Sequence, residues 1–237
     1  MENKYIILGD GLLGSEIIRQ TGWKYISRKK DGFDITNFKF KHFFTMPATG
    51  YNYTIVNCIG FTDTYSEDKE KHFAINYKGV INIANVCRTL HAKLIHISTD
   101  YVYGGNPAYA KETDLPIIAP NWYTYSKLLA DEYIQRLFDE DYLIVRTSFK
   151  PKPFPYEKAT ITQVGNFDYV DVIAKLIIQL IKQKASGMYN VGTSVKTMLQ
   201  LAEKTRPDIK PLWGKIHPTM PTNIIMDLTK MNREIYK

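Results

Sequence analysis

Residues 4–18 read KYIILGDGLLGSEII. A short apolar run, residues 5–8, ends at Gly9, Gly11 and Gly14 in a G-x-G-x-x-G turn, and the apolar spacing then becomes that of a helix over residues 12–20. A strand that passes over glycines into a helix brings backbone close to a pyrophosphate, and free N–H groups at the helix start stabilise its charge. Three glycines alone would be ordinary turn chemistry. With a strand before them and a helix after, they predict a dinucleotide site in which Gly9, Asp10, Gly11, Leu12 and Leu13 meet the cofactor.

The same alternation continues outward from this turn. Residues 24–27, 54–59, 93–98 and 143–147 read as buried strands, and residues 68–90 as a long helix with Phe73, Val80, Ile83, Ala84 and Cys87 on one stripe. A loop over residues 103–121 leads into a helix that carries Tyr123 and Lys127. In KPKPFPY, residues 150–156, a proline at every second position excludes an interior helix or central strand. A helix at 168–184, a strand at 188–191 and a helix at 196–204 follow. The pattern predicts an α/β fold, a Rossmann-type doubly wound parallel sheet with a small C-terminal substrate-binding lobe. Residues 1–149 form the NAD(P)-binding domain in this reading, and residues 150–237 are mainly the lobe, interleaved with it.

At 237 residues and 44% hydrophobic content the chain can bury a full core. The net charge of +7 is scattered, so no nucleic-acid partner is expected. The longest apolar candidate, residues 172–181, is interrupted by Lys175 and Gln179, which argues against a membrane span. Two cysteines in apolar segments and no signal-like N-terminus lead to the expectation of a soluble, cytoplasmic protein without a disulfide framework. The five histidines lack ligand spacing with one another or with the cysteines, so no metal site is expected.

After the second strand come Ser27, Arg28, Lys29 and Lys30, where many NAD enzymes carry a carboxylate for the ribose. A guanidinium at Arg28 matches a 2′-phosphate, which favours NADP(H) over NAD(H); an exposed basic turn is the other reading. In DGFDIT, Asp34 and Ile35 stand where a carboxylate can accept from an adenine amino group, or where an Asp holds a turn.

Tyr123 and Lys127 lie four apart on a helix and share a face. A phenol with its ordinary pKa near 10 exchanges protons poorly at neutral pH, and an adjacent ammonium is expected to lower it. Upstream, Ser98, Thr99, Asp100 and Tyr101 leave the end of a strand, where parallel sheets bind ligands. Thr99 is the expected hydrogen-bond donor to a substrate carbonyl, and Ser98 should face the other way. Thr99, Tyr123 and Lys127 together are the expected catalytic centre of a carbonyl reductase.

On the glycine turn, GFDIT, VNCIGFT, NYKGVINIA, ISTDYVYG, the Tyr123/Lys127 pair, VRTSF and GMYNVG, the chain resembles the extended short-chain dehydrogenase/reductases, and within them the dTDP-4-dehydrorhamnose reductase family. The resemblance implies that Cys58, Ile59 and Gly60 line the cofactor and that Asn76 orders the centre beneath Lys127. It further implies that Tyr101 and Phe149 contact the sugar of a nucleotide-diphosphate sugar whose 4-keto group is reduced, and that the enzyme is a homodimer. Phe149 stands where those reductases carry tryptophan, and the glycine turn is one residue tighter than theirs. Lys150, Lys152 and Lys158 can neutralise a substrate diphosphate or simply face solvent. Two alternatives remain: an epimerase or dehydratase of the same fold, which lacks here a Glu beside Asp100, and a non-catalytic NADP-binding regulator.

Overall fold

A computed structural model describes residues 2–37, 51–117 and 119–237. Six strands build the main sheet: β1 (Glu2–Leu8), β2 (Lys24–Ile26), β3 (Tyr51–Asn57), β4 (Lys93–Thr99), β5 (Tyr142–Thr147) and β6 (Gly187–Asn190). They lie in the order β6-β5-β4-β3-β1-β2, and every pairing is parallel. The order reverses between β1 and β3, which opens a crevice beyond the carboxyl ends of the strands. Register brings Asn57 beside Leu8 on one side and His96 on the other, and Thr99 beside Thr147.

The two-residue period of a strand sends neighbours to opposite faces, so a sheet covered on both sides needs apolar residues at nearly every position. Leu8, Ile55, Leu94 and Ile144 enter one buried cluster. Ile7, Val56, Ile95, Leu143 and Val145 enter the other. Helices α1 (Leu12–Thr21), α6 (Val170–Lys182) and α8 (Thr229–Ile235) cover the second face, with α1 and α8 each packed on α6. Helices α4 (Gly79–Thr89) and α5 (Trp122–Leu137) cover the first. Short helices α2 (Arg28–Asp31), α3 (Lys69–His72) and α7 (Met198–Glu203) are the other α-helices among the described residues.

The long helix expected over 68–90 is not one uninterrupted α-helix. Between α3 and α4, residues Phe73–Lys78 form a π-helical turn. Val80, Ile83, Ala84 and Cys87 are fully buried, as their stripe requires, but Phe73 is only half-buried and Asn76 and His72 take the inward positions. The wider turn inserts extra chain and rotates everything before it relative to the stripe, which a strict 3.6-residue period cannot show.

Beyond β5 a third cluster gathers Phe154, Phe167, Tyr169, Leu201, Ile209 and Ile224. Short strand pairs frame it: Phe149–Lys150 with Asp168–Tyr169, Lys158–Thr160 with Lys210–Leu212, and Val164–Gly165 with Lys196–Thr197 and Asn223–Ile224. Thr197 and Gln200 cap α7 reciprocally, so this helix starts two residues later than the spacing predicts. Residues 170–190 return to the sheet as α6 and β6. Among the described residues no helix is long and apolar enough to cross a membrane.

Candidate active site

The glycine turn joins β1 to α1 at the crevice. Gly9 has φ +92°, and a Cβ there would lie 2.8 Å from Cγ1 of Ile59. A Cβ on Gly14 would overlap the carbonyl oxygen of Gly9. These two glycines let α1 start directly against the end of the sheet. Gly11 is the N-cap of α1, receives no side-chain cap, and has open space around it. The first N–H groups of α1 are therefore left without a side-chain partner at the crevice.

A cavity of about 370 Å³ starts at this turn. Of the residues expected at the site, Gly11, Leu12, Leu13, Cys58, Ile59 and Gly60 line one end of it, and Thr99, Tyr101, Tyr123, Lys127 and Phe149 line the other. The remaining six are off its walls. Gly9 is packed beneath the turn, and the carboxylate of Asp10 accepts from the hydroxyl of Ser27 at 3.0 Å. That hydroxyl also accepts from Lys30 N–H, capping α2. Arg28 is exposed, 3.6 Å from Asp34. Asp34 Oδ1 accepts from both the N–H and the hydroxyl of Thr36, the turn-holding role, and these bonds hold its carboxyl below the usual range. Ile35 is buried against Gly79 in the core.

Strand alternation turns Ser98 and Thr99 to opposite faces. Ser98 donates to Asp131 on α5 at 2.9 Å. Thr99 accepts from Tyr101 N–H at 3.2 Å, which leaves its O–H to donate, and its hydroxyl faces the phenol of Tyr123. Four-residue spacing on α5 aligns Tyr123, Lys127 and Asp131 on the face that meets β4. Lys127 is buried, donates to the carbonyl oxygen of Ile97 and lies 3.1 Å from Nε2 of His96. Burial pushes it down to about 8, against the charge of Asp131. Tyr123 departs from the sequence expectation. Burial pushes its phenol up to about 12, the nearby Thr99 hydroxyl opposes this, and the negative charges of Asp100 and Asp131 add to the rise. Lys127 does not lower it here, because its amine is turned to Ile97 and His96.

Polar groups stand behind this wall. Asp131 Oδ2 accepts from Arg146 Nε at 3.1 Å, and Arg146 continues to Tyr103 and Asn190. Asp100 is fully buried, accepts from Ser148 at 2.6 Å, and is pushed up to about 6 by burial. Among the described residues, one oxygen of each carboxylate, Asp100 Oδ1 and Asp131 Oδ1, has no hydrogen-bond partner. Asn76 holds the loop after β3 with two bonds to Phe61, at 2.8 and 3.1 Å, and reaches Ser126 beside Lys127 at 3.3 Å. Cys58 and Cys87 are free thiols, and burial pushes Cys58 up to about 12. Among the described residues no group of three or more His, Cys, Asp or Glu side chains is gathered as for a metal ion.

A family model described as the RmlD substrate binding domain matches residues 4–150. The chain belongs to the RmlD family. The family resemblance read from its sequence is thereby borne out. The spore coat polysaccharide biosynthesis protein SpsK of Bacillus subtilis is 28% identical to this RmlD-family chain over 213 residues, 81% of this chain and 74% of SpsK. The dTDP-4-keto-6-deoxy-D-glucose reductase of Streptomyces niveus is 30% identical over 187 residues, 70% of this chain and 64% of that protein. The crystal structure of dTDP-4-dehydrorhamnose reductase from Bacillus anthracis in complex with NADP has a TM-score of 0.82 at 23% identity, covering 98% of this chain and 91% of that one. At that identity the likeness carries the parallel Rossmann-type fold.

Several residues at the RmlD-family cavity escape sequence reasoning. Thr62, Thr64 and Tyr156 line it; Lys150, which the sequence offered for a substrate diphosphate, lines it too and also lines an adjoining cavity of about 730 Å³. That second space lies between the loop after β3 and the third core cluster. Tyr65 bonds the hydroxyl of Tyr101 at 3.1 Å and stacks on His217 at 4.5 Å, joining the two parts across it. Thr62 and Thr64 directly follow VNCIGF, a local signal. Tyr156 and His217 reach the region from distant loops and leave none.

Proposed function

We propose that this protein is an NADPH-dependent reductase of the 4-keto group of a nucleotide-linked deoxysugar. The observation that carries the reading is the convergence of Thr99, Tyr123 and Lys127 at one end of a cavity whose other end is the glycine turn. The open space at Gly11 and the uncapped start of α1 fit a pyrophosphate, and exposed Arg28 suits a 2′-phosphate, hence NADP(H) with NAD(H) as the weaker ligand. A reduced nicotinamide held there supplies the hydride. Thr99, one lone pair engaged by Tyr101 N–H, donates its O–H to the carbonyl oxygen and stabilises the charge that develops. Tyr123, with a phenol that keeps its proton throughout the physiological range, gives that proton to the same oxygen. A dehydratase of the same fold needs a further acid–base pair beside the hydroxyl residue. Asp100 lies off the cavity wall, and Tyr101 stands beside it where a dehydratase needs a second acid.

Residues 150–237 supply most of the substrate lobe in this reading, interleaved with the cofactor domain, with Lys150 at the junction of the two cavities as the cation for a diphosphate and Tyr101 and Phe149 against the sugar. A cytoplasmic homodimer completes the proposal, supported by the free thiols and the family resemblance. The test follows NADPH absorbance with a panel of nucleotide-linked 4-keto-6-deoxysugars. Turnover is expected with at least one of them, falling about 10³-fold in Tyr123→Phe while cofactor affinity stays within a few-fold. NADPH binding without oxidation by any ketosugar would leave the regulator reading in place of this one.

A further inference from the structure

Among the described residues three buried side-chain atoms have no hydrogen-bond partner. Two are the second oxygens of Asp100 and Asp131, carboxylates already held through their first. The third is the hydroxyl of Thr147, the last residue of β5 and the only polar atom that its side chain has. A hydroxyl both donates and accepts, and nearly all buried polar groups are bonded, so one left over calls for a partner from outside the chain.

The surroundings say which kind. Register sets Thr147 beside Thr99, and residues two apart on a strand share a face, so Ile97, Thr99 and Thr147 face the same way. Ser148 turns to the other side and gives its hydroxyl to Asp100. Ile97, Thr99 and Thr147 all line the cavity that begins at the glycine turn. Leu13 from α1, Cys58 after β3 and Ile97 from β4 make an apolar stretch of its wall. The strand order β1, β3, β4, β5 carries that wall away from the glycine turn, and Thr147 stands on its last strand. Groups suited to a polyhydroxylated sugar, namely Thr62, Thr64, Tyr101, Lys150 and Tyr156, come instead from the chain beyond the strand ends. An apolar wall that starts at a pyrophosphate site and ends in an unpartnered hydroxyl matches a flat ring with a single amide on its rim.

We propose that Thr147 is a cofactor-binding residue whose hydroxyl hydrogen-bonds the carboxamide of the nicotinamide. The inference rests on NADP(H) being the ligand of this cavity, as in the reductase reading, and it needs no particular ketosugar. The glycine turn then holds the middle of the cofactor and Thr147 its reactive end, which leaves Thr99, next to it in register, for the substrate carbonyl.

The test uses the full chain and titration calorimetry without ketosugar. The two ligands are NADPH and 2′-phospho-ADP-ribose, which keeps the pyrophosphate and the 2′-phosphate but lacks the nicotinamide. Thr147→Val removes the hydroxyl at nearly constant shape. It is expected to bind NADPH about tenfold more weakly and the truncated ligand within about twofold of the parent. Thr147→Ser, which keeps the hydroxyl, is expected to recover most of the loss. Without ligand, the urea midpoint of Thr147→Val should match or exceed that of the parent, because the free protein loses no bond. Unchanged NADPH affinity in Thr147→Val, equal weakening of both ligands, or no recovery in Thr147→Ser overturns the proposal. So does a Thr147→Val chain that is clearly less stable or does not fold, since the hydroxyl would then have had a partner in the free protein. A parent that binds neither ligand removes the cofactor reading and this inference with it. The expected binding pattern with no ketosugar reduced removes the reductase reading and leaves Thr147 as assigned.

Discussion

One end of the cavity works by leaving room and the other by filling it. At the glycine turn, function depends on side chains that are missing: Gly14 lets α1 touch the backbone of Gly9, and Gly11 leaves a space open. At the far end Lys127, Asp131, Asp100, His96 and Arg146 are crowded into a buried interior, where each charge depends on its partners. A region built from room fails when an atom is added. A region built from buried charge fails when an atom is taken away.

The largest effect should come from breaking the first region. Gly14→Ala forces backbone apart at Gly9, and urea unfolding is expected to show a loss of about 4 kcal/mol or no folded protein. Gly11→Ala, with nothing within 4 Å of the added atom, should stay within about 0.5 kcal/mol of the parent. Equal behaviour of the two would end the idea that close approach is what distinguishes them. In the second region, Asp131→Ala leaves Arg146 buried without its carboxylate. A loss of about 3 kcal/mol is expected in the same assay, and a neutral result would mean that Tyr103 alone suffices for Arg146.

A smaller effect depends on pH. Asp100 rises from its ordinary 3.8 to about 6 in the folded chain, so the native state holds this proton more tightly than the unfolded one. Its contribution therefore weakens as pH rises from about 4 to about 7, by roughly 2 kcal/mol. Asp100→Asn should be the more stable protein at pH 7, with the difference gone by about pH 4. Parallel pH profiles for the two would show that Asp100 is not the source.

The contrast also explains what the sequence shows. Room is written locally: three glycines between an apolar run and a helical period reveal both the turn and the fold, and Tyr123 and Lys127 declare themselves by spacing on one helix. Partnership across a parallel sheet is not local. Asn57 and His96 are 39 residues apart, and each sits in an apolar strand where a polar residue reads as an isolated exception. Asp131 continues the four-residue series of Tyr123 and Lys127, but only the arrival of Ser98 and Arg146 from two strands gives it a meaning. Ile35 is the converse case: a residue next to a suggestive aspartate whose side chain packs on Gly79.

The π turn before α4 makes the site sensitive to chain length as well as to chemistry. Removing a single residue from Phe73–Lys78 would heal the helix into a regular one and swing all that precedes the deletion by about 100°. A deletion just after Asn76 would turn its amide away from Phe61 and Ser126 without changing one atom of it, releasing the loop that carries Gly60 and Thr62. In this stretch a residue count acts as a gear setting.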